Sequence, residues 1–357
     1  MSNLTVGLLS ALLSTNQPQA VSNLVQDQTG ISVPIADPEE QELRNLMIGD
    51  DAAMDEINSW ISTNQIPRTD TNALVAFNHK INERLDGVKD GYNHFLRNHP
   101  QNAHGYLAYG SFLADIGDEE GARTQYENSK QIDPKNPAVW NQMANIDGES
   151  GGLTNAFAEY TEALRLDPSE PVYYRNFATT VYLFRKDARE YYHITEQQVF
   201  DKSLDLYQQA MKLAPDDLVL ATDYAESYYG IKPLRLNDAL VAWTNCLNIC
   251  KDDTERQGVL VHMARVKILA GSFDEAQAHL DSITNPEFAE LKRRLTRMLN
   301  EHKNPSTNTL EETSAPTNTP PITAPVPALP ADTNPSLPAA AAKLQLAPPA
   351  LREQKPQ

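Results

Sequence analysis

Apolar, small and polar positions along the middle of the chain recur with a period longer than any one helix. Pro100, Pro134 and Pro168 lie 34 residues apart. In that register Tyr106, Trp140 and Tyr174 form an aromatic column, and Gly110, Ala144 and Ala178 a column of small residues. Ala122 aligns with Ala156, Tyr126 with Tyr160, Ser129 with Ala163, and Ile132 with Leu166. A fixed period of this size marks stacked supersecondary units, each unable to bury its apolar face alone.

Within one period the pattern predicts two helices. The first runs from Pro137 to Glu149, with Pro137 in the opening turn, where its missing N–H is not needed, and Trp140, Met143, Ala144 and Asp147 at helical spacing. Gly148 to Gly152 supplies the turn. The second runs from Thr154 to Leu166 and carries Ala156, Tyr160 and Ala163 on one face; Asp167-Pro168 stops it. The pattern is looser elsewhere. Residues 69 to 102 hold Ala76, Val88, Tyr92, Phe95 and Pro100 as a degenerate first unit. The unit opening at Pro171 carries Tyr174, Phe177, Ala178 and Val181, and resumes at Ser203, Tyr207, Ala210 and Pro215 after an insertion near 185–198. The insertion contains no glycine or proline, which predicts lengthened or additional helix. Further units hold Tyr224, Ala225, Tyr228, Ala239, Trp243 and Cys246, then Leu260, Met263, Ala264, Gly271, Ala276 and Leu280. Pro286 to His302 reads as a terminal helix closing the array. Residues 37–62 suggest two short helices, capped by Asp37 with Pro38 in the first turn.

The residues Trp140, Ala144, Ala156, Tyr160, Ala163 and Pro168, with their counterparts one period earlier, resemble the tetratricopeptide repeat family. Asp147 departs from the large apolar residue usual at its place. The resemblance implies an all-α fold, an α-solenoid of stacked helix-turn-helix repeats wound as a right-handed superhelix, with the first helix of each pair lining the inner face. It also implies a binding groove for a protein or peptide partner at His104, Leu107, Ser111, Asn141, Gln142, Asn145, Arg175, Asn176, Thr179, Asp223 and Glu226. Asn141, Asn145 and Asn176 suit the main-chain amides of an extended peptide, and Arg175 suits a carboxylate. The set of Lys, Asn and Arg with which some relatives grip a terminal carboxylate is broken by Leu107 and Ser111.

Composition narrows the function. The formal net charge is −18 over 357 residues, the wrong sign for neutralising phosphates, so neither nucleic acid nor an anionic membrane is the expected partner. No apolar run is long enough for a membrane span. The basic cluster Lys292 to Arg297 reads as a solvated helix face. Cys246 and Cys250 lie four apart on one helix face and read as small packing residues. No metal, cofactor or phosphate-loop motif is present: His94 and His99 are mis-spaced for one helix face, and Asp118 to Glu120 reads as a solvated turn. Tyr173, Tyr174, Tyr182, Tyr191 and Tyr192 read as packing around the insertion, or else as an anchor surface for a partner.

The division expected is an N-terminal segment over 1–36, short helices over 37–68, the repeat array over 69–303, and a Pro-, Ala- and Thr-rich tail over 304–357, read as disordered with polyproline II character. Pro327 to Pro330 fits PxxP without a flanking cation and reads as spacer. Leu4 to Ser14 has the apolar character of a secretory signal, with Ala20 as a cleavage residue, but no cation precedes Arg44; a cytoplasmic location is favoured over export. The leading function is a non-catalytic adaptor. The rivals are a helical enzyme or enzyme subunit with its site at the insertion around Tyr191 to His193, and a structural spacer in a larger assembly.

Overall fold

The structure, a computed structural model, describes residues 37–304 except 65 and 67–69, and among these residues every regular element is helical. The described chain divides into two compact units, one ending at Asp167 and one beginning at Pro168.

The first unit contains three antiparallel pairs: α1 (Pro38–Thr63) with α2 (Thr71–Asn98), α3 (Ala103–Asp115) with α4 (Glu119–Ile132), and α5 (Pro137–Ser150) with α6 (Leu153–Leu166). Local chemistry sets the ends. Asn102 Oδ1 accepts from Gly105 N at 2.6 Å and Asp118 Oδ1 from Gly121 N at 3.0 Å, satisfying N–H groups that a helix start leaves open. Gly117 and Gly151 occupy the same place in successive hairpins with φ 81° and 90°, the left-handed conformation that a side chain resists. The column of small residues lets the paired helices approach. A Cβ built on Gly110 would lie 2.5 Å from the Tyr126 ring, and Ala144 is fully buried. The core runs from Leu43 and Met47 through Tyr92, Phe95, Phe112 and Tyr126 to Met143 and Ile146.

The second unit pairs α7 (Pro171–Leu183) with α9 (Glu196–Leu213), α10 (Leu218–Ser227) with α11 (Leu236–Ile249), and α12 (Asp253–Leu269) with α13 (Phe273–Ser282). The helix α14 (Ala289–Lys303) packs on α12 and α13 and closes this unit. Its exposed positions include Arg293 and Arg297, each beside a glutamate of the same helix, Glu290 and Glu301. The insertion forms α8 (Arg185–Tyr192), an additional helix between α7 and α9. His193 ends it with φ 54°, and Thr195 then opens α9 with a reciprocal capping box to Gln198. Despite this detour Ser203 of α9 donates to the Ala178 carbonyl of α7 at 2.8 Å. In α4 a serine two turns further along its helix, Ser129, also donates to a first-helix carbonyl, Ala103 O of α3, at 2.8 Å.

Two features differ from the sequence reading. Residues 37–62 form one helix, α1, rather than two. Leu43, Met47, Asp50, Ala53 and Ile57 keep an unbroken buried stripe past Gly49, and that packing outweighs the roughly 1 kcal/mol an interior glycine costs. Residues 71–98 likewise form one helix: Ile81, Leu85, Val88, Tyr92 and Phe95 are buried in sequence along it, so its partner is α1 and not its own first half. Trp140 is half-buried. Its Nε1 donates to Pro134 O at 2.9 Å and Lys130 Nζ lies 4.5 Å from its ring centroid, so it braces the turn before α5. The expectations for Leu4 to Ser14 and for the tail beyond Asn304 lie outside the described residues.

Candidate functional site

In four of the six pairs the first helix carries a small residue followed by a polar one that meets a tyrosine: Gly49-Asp50, Gly110-Ser111, Ala144-Asn145 and Ala178-Thr179. At Gly110, Ala144 and Ala178 the small residue lets the second helix come close, whereas Gly49 has open space around it. The polar residue then meets a tyrosine of that second helix. Tyr92 OH donates to Asp50, Tyr126 OH to Ser111 Oγ at 3.3 Å, and Tyr160 OH to Asn145 Oδ1 at 2.7 Å; Thr179 Oγ1 and Tyr207 OH lie 2.8 Å apart. All four tyrosines are buried, so each bond satisfies a phenol that water does not reach.

In the first unit the six expected groove residues separate. Leu107 is 3% exposed and belongs to the core. Asn141 and Gln142 are 4% and 6% exposed, so neither presents an open amide. Gln142 Nε2 donates to Ser111 Oγ at 3.3 Å, and Asn145 Nδ2 to Gln142 Oε1 at 2.9 Å, linking α3 and α5 in one polar chain that ends at Tyr160. His104 is half-exposed, with Nδ1 3.5 Å from Glu40 Oε1 of α1. Burial pushes the Asp50 carboxyl up to about 7, against the lowering effect of Tyr92, with Asp51 and Asp115 adding to the rise. Burial, then Asp51, raises Asp115 to about 7 as well. On another part of this unit Arg123 of α4 pairs with buried Asp147 of α5. Glu159 of α6, which burial and Asp147 raise to about 7, keeps one buried carboxylate oxygen without a hydrogen-bond partner.

In the second unit the expected residues are more open. Arg175 Nε of α7 donates to Asp223 Oδ2 of α10 at 2.6 Å, so the first helices of two neighbouring pairs share one ionic contact. Burial nevertheless raises the Asp223 carboxyl, with Arg175 opposing. Thr179 and Asn176 are half-buried on α7, and Glu226 is exposed on α10. His262 and Arg265 of α12 stand at the places matching Asp223 and Glu226, counted from Ala264 as those are counted from Ala225. The sequence reading stops at Glu226. Its signal for the next pair was already present in the column of small residues, which Ala264 continues.

His262 stacks on Trp243 with centroids 4.3 Å apart and planes at 19°. Its Nδ1 lies 3.1 Å from Tyr229 OH, and Arg265 lies over the Tyr229 ring, 4.3 Å from its centroid. Burial, then the Arg265 charge, lowers His262 to about 4, which leaves the imidazole neutral near pH 7.

At the insertion Tyr191 and Tyr192 meet edge-to-face, and Lys202 Nζ lies 4.3 Å from the Tyr192 ring. His193 is exposed, and no carboxylate of the described residues lies within 4 Å of it. Both cysteines are free thiols. Burial pushes Cys246 up to about 12, and Cys250 Sγ donates to Cys246 O at 3.2 Å. No group of three or more His, Cys, Asp or Glu among the described residues is arranged to hold a metal ion, and no described helix is long and apolar enough to cross a membrane.

No protein-family profile matches the sequence, and no curated protein sequence is similar to it. Solved structures of similar fold include YrrB, a TPR protein with an unusual peptide-binding site, at 13% identity over 58% of this chain and 97% of that one, with a TM-score of 0.43. PilW, a type IV pilus biogenesis factor, is 12% identical over 64% of this chain and 100% of its own, with a TM-score of 0.48. PilF of Pseudomonas aeruginosa is 12% identical over 71% of this chain and 98% of its own, with a TM-score of 0.45. These are likenesses of helical-repeat fold.

Proposed function

We infer that this chain, an all-α array of tetratricopeptide-like hairpins, is a non-catalytic interaction scaffold that holds a peptide or protein segment on the first-helix face of its second unit. The observation that carries the reading is the pairing of Arg175 with Asp223 across α7 and α10 at 2.6 Å. It makes one polar strip of two successive first helices, with Glu226, His262 and Arg265 continuing that series along the sequence. Apolar packing is complete beneath the strip, as the full burial of Ala178, Ala225 and Ala264 shows. The exposed Glu226 and the partly exposed Arg175 and Arg265 are therefore available for recognition, while Thr179 and His262 also brace the packing beneath them. The first unit contributes less, because Asn141 and Gln142 are buried and Asn145 is held by Tyr160 and Gln142.

The test is peptide selection followed by substitution. A random twelve-residue display library is panned on the full chain, and the affinities of selected peptides are measured by fluorescence anisotropy. Loss of affinity in Arg175→Gln and Glu226→Gln, with circular dichroism unchanged, supports the reading. Selected peptides that bind both variants as they bind the parent, or a library that yields no binder, sink it.

A further inference from the structure

We propose that Arg265 is the residue with which the second unit reads an anionic group, a carboxylate or a phosphate, on its bound peptide; this rests on the peptide-binding reading above. The argument starts from what happens to the same place in the other hairpins. Asp50, Ser111, Asn145 and Thr179 each follow the small residue of the first helix, and each is engaged by a tyrosine of the second. Those side chains serve the hairpin itself. In the last two pairs the tyrosine is gone: Trp243 stands where α11 would supply it, and Leu280 where α13 would. Neither offers a hydroxyl, and the residues that follow the small residue in those two pairs are ionic, Glu226 and Arg265.

Arg265 is the sharper of the two. No carboxylate of the described residues lies within 4 Å of its guanidinium. It is not loose, however. The Tyr229 ring holds it from one side at 4.3 Å, and Tyr229 is itself fixed by His262, which rests on the buried Trp243. An aromatic face stabilises a guanidinium while leaving its N–H donors uncommitted. His262 is neutral near pH 7, so it neither competes for an anion nor adds charge. Glu226 lies 3.9 Å from His262 Nε2 and is the acidic neighbour on α10. The face thus sets one organised cation beside one acid, an arrangement that selects the position of a negative group along the ligand. A half-buried, pre-placed guanidinium with spare donors suits a two-pronged contact to carboxylate or phosphate oxygens.

Peptides are selected from the same library on the full chain, and the best binder is synthesised with Asp, phosphoserine or Asn at its most enriched acidic position. Acid enrichment is expected. Arg265→Gln should weaken the Asp peptide at least tenfold, Arg265→Lys should restore part of the loss, and Arg265→Glu should turn selection toward Lys and Arg. The Asp and phosphoserine versions separate the two sources of charge. If selected peptides respond to Arg175→Gln and Glu226→Gln but show no acid enrichment and bind Arg265→Gln unchanged, the anion proposal fails while the peptide-binding face stands. Peptides indifferent to all these variants, or no binders at all, overturn both.

Discussion

Tyr160 of α6 donates to Asn145 Oδ1 of α5 at 2.7 Å, while Asn145 donates in turn to Gln142. The tyrosine column is thus more than packing: each hydroxyl locks the first helix of its hairpin to the second. Tyr160→Phe keeps the ring and removes the bond, with an expected loss of about 1 kcal/mol in urea unfolding. A variant as stable as the parent would show that the lock contributes nothing.

Arg123 and Asp147 make the unusual acidic place on α5 tolerable. Asp147 is buried and Arg123 is one-third exposed, so removing the cation strands a charge whose cost solvent only partly relieves. Arg123→Ala should destabilise by about 1–3 kcal/mol. The double variant Arg123→Met with Asp147→Leu restores an apolar contact and should recover the loss. Failure of the double variant to recover would mean that the pair has no apolar equivalent at this place.

The buried carboxyls of the first hairpins make stability fall as pH rises. Asp50 and Asp115 have folded values near 7, above the ordinary carboxyl value. Between about pH 4 and 7 the folded chain therefore holds protons that the unfolded chain has released, and stability from these groups declines across that window and is flat above it. The check is the difference in urea midpoint between the parent and Asp50→Asn with Asp115→Asn, measured from pH 4 to 8. It should change most between pH 4 and 7; a difference constant with pH would contradict the burial argument.

His262 should titrate in the opposite sense. With its folded value near 4, below the ordinary imidazole, the unfolded chain gains a proton first as pH drops, so this group favours folding above about pH 6.5 and ceases to below it. NMR of the imidazole in the folded chain should show the neutral form at pH 6. A midpoint near 6.5 would mean that the ring is solvated and the Trp243 stack open.

Gly110→Ala tests the close approach of α3 and α4. The added carbon would stand 2.5 Å from the Tyr126 ring, and Tyr126 is packed on all sides. The expected cost is about 1–3 kcal/mol in denaturant unfolding. A neutral result would mean that Tyr126 moves aside freely.

Much of this fold was legible from spacing. The columns of prolines, small residues and tyrosines placed α5 and α6 within a residue at each end, since each column has one geometric cause. The first pair was harder to read because α1 and α2 are long: Asp50 meets Tyr92 as Asn145 meets Tyr160, but extra helical turns shift both out of the 34-residue period. The candidate site was less legible. Leu107 and Gln142 occupy inward places by register alone, and register does not report what packs over a place. Arg265 was missed for a related reason, because its importance depends on Leu280 lacking a hydroxyl and on Tyr229 arriving from the short 3-10 turn after α10.

The helix α8 enters between α7 and α9 at the place where Gly117 and Gly151 close other hairpins, yet Tyr207 of α9 still meets Thr179 of α7 as Tyr126 meets Ser111 and Tyr160 meets Asn145. The tip of a hairpin is therefore a grafting point. Sequence can be spliced in there without disturbing the pitch set by the small residues, so an array of this kind acquires new surface by lengthening its tips while its stacking rules remain untouched.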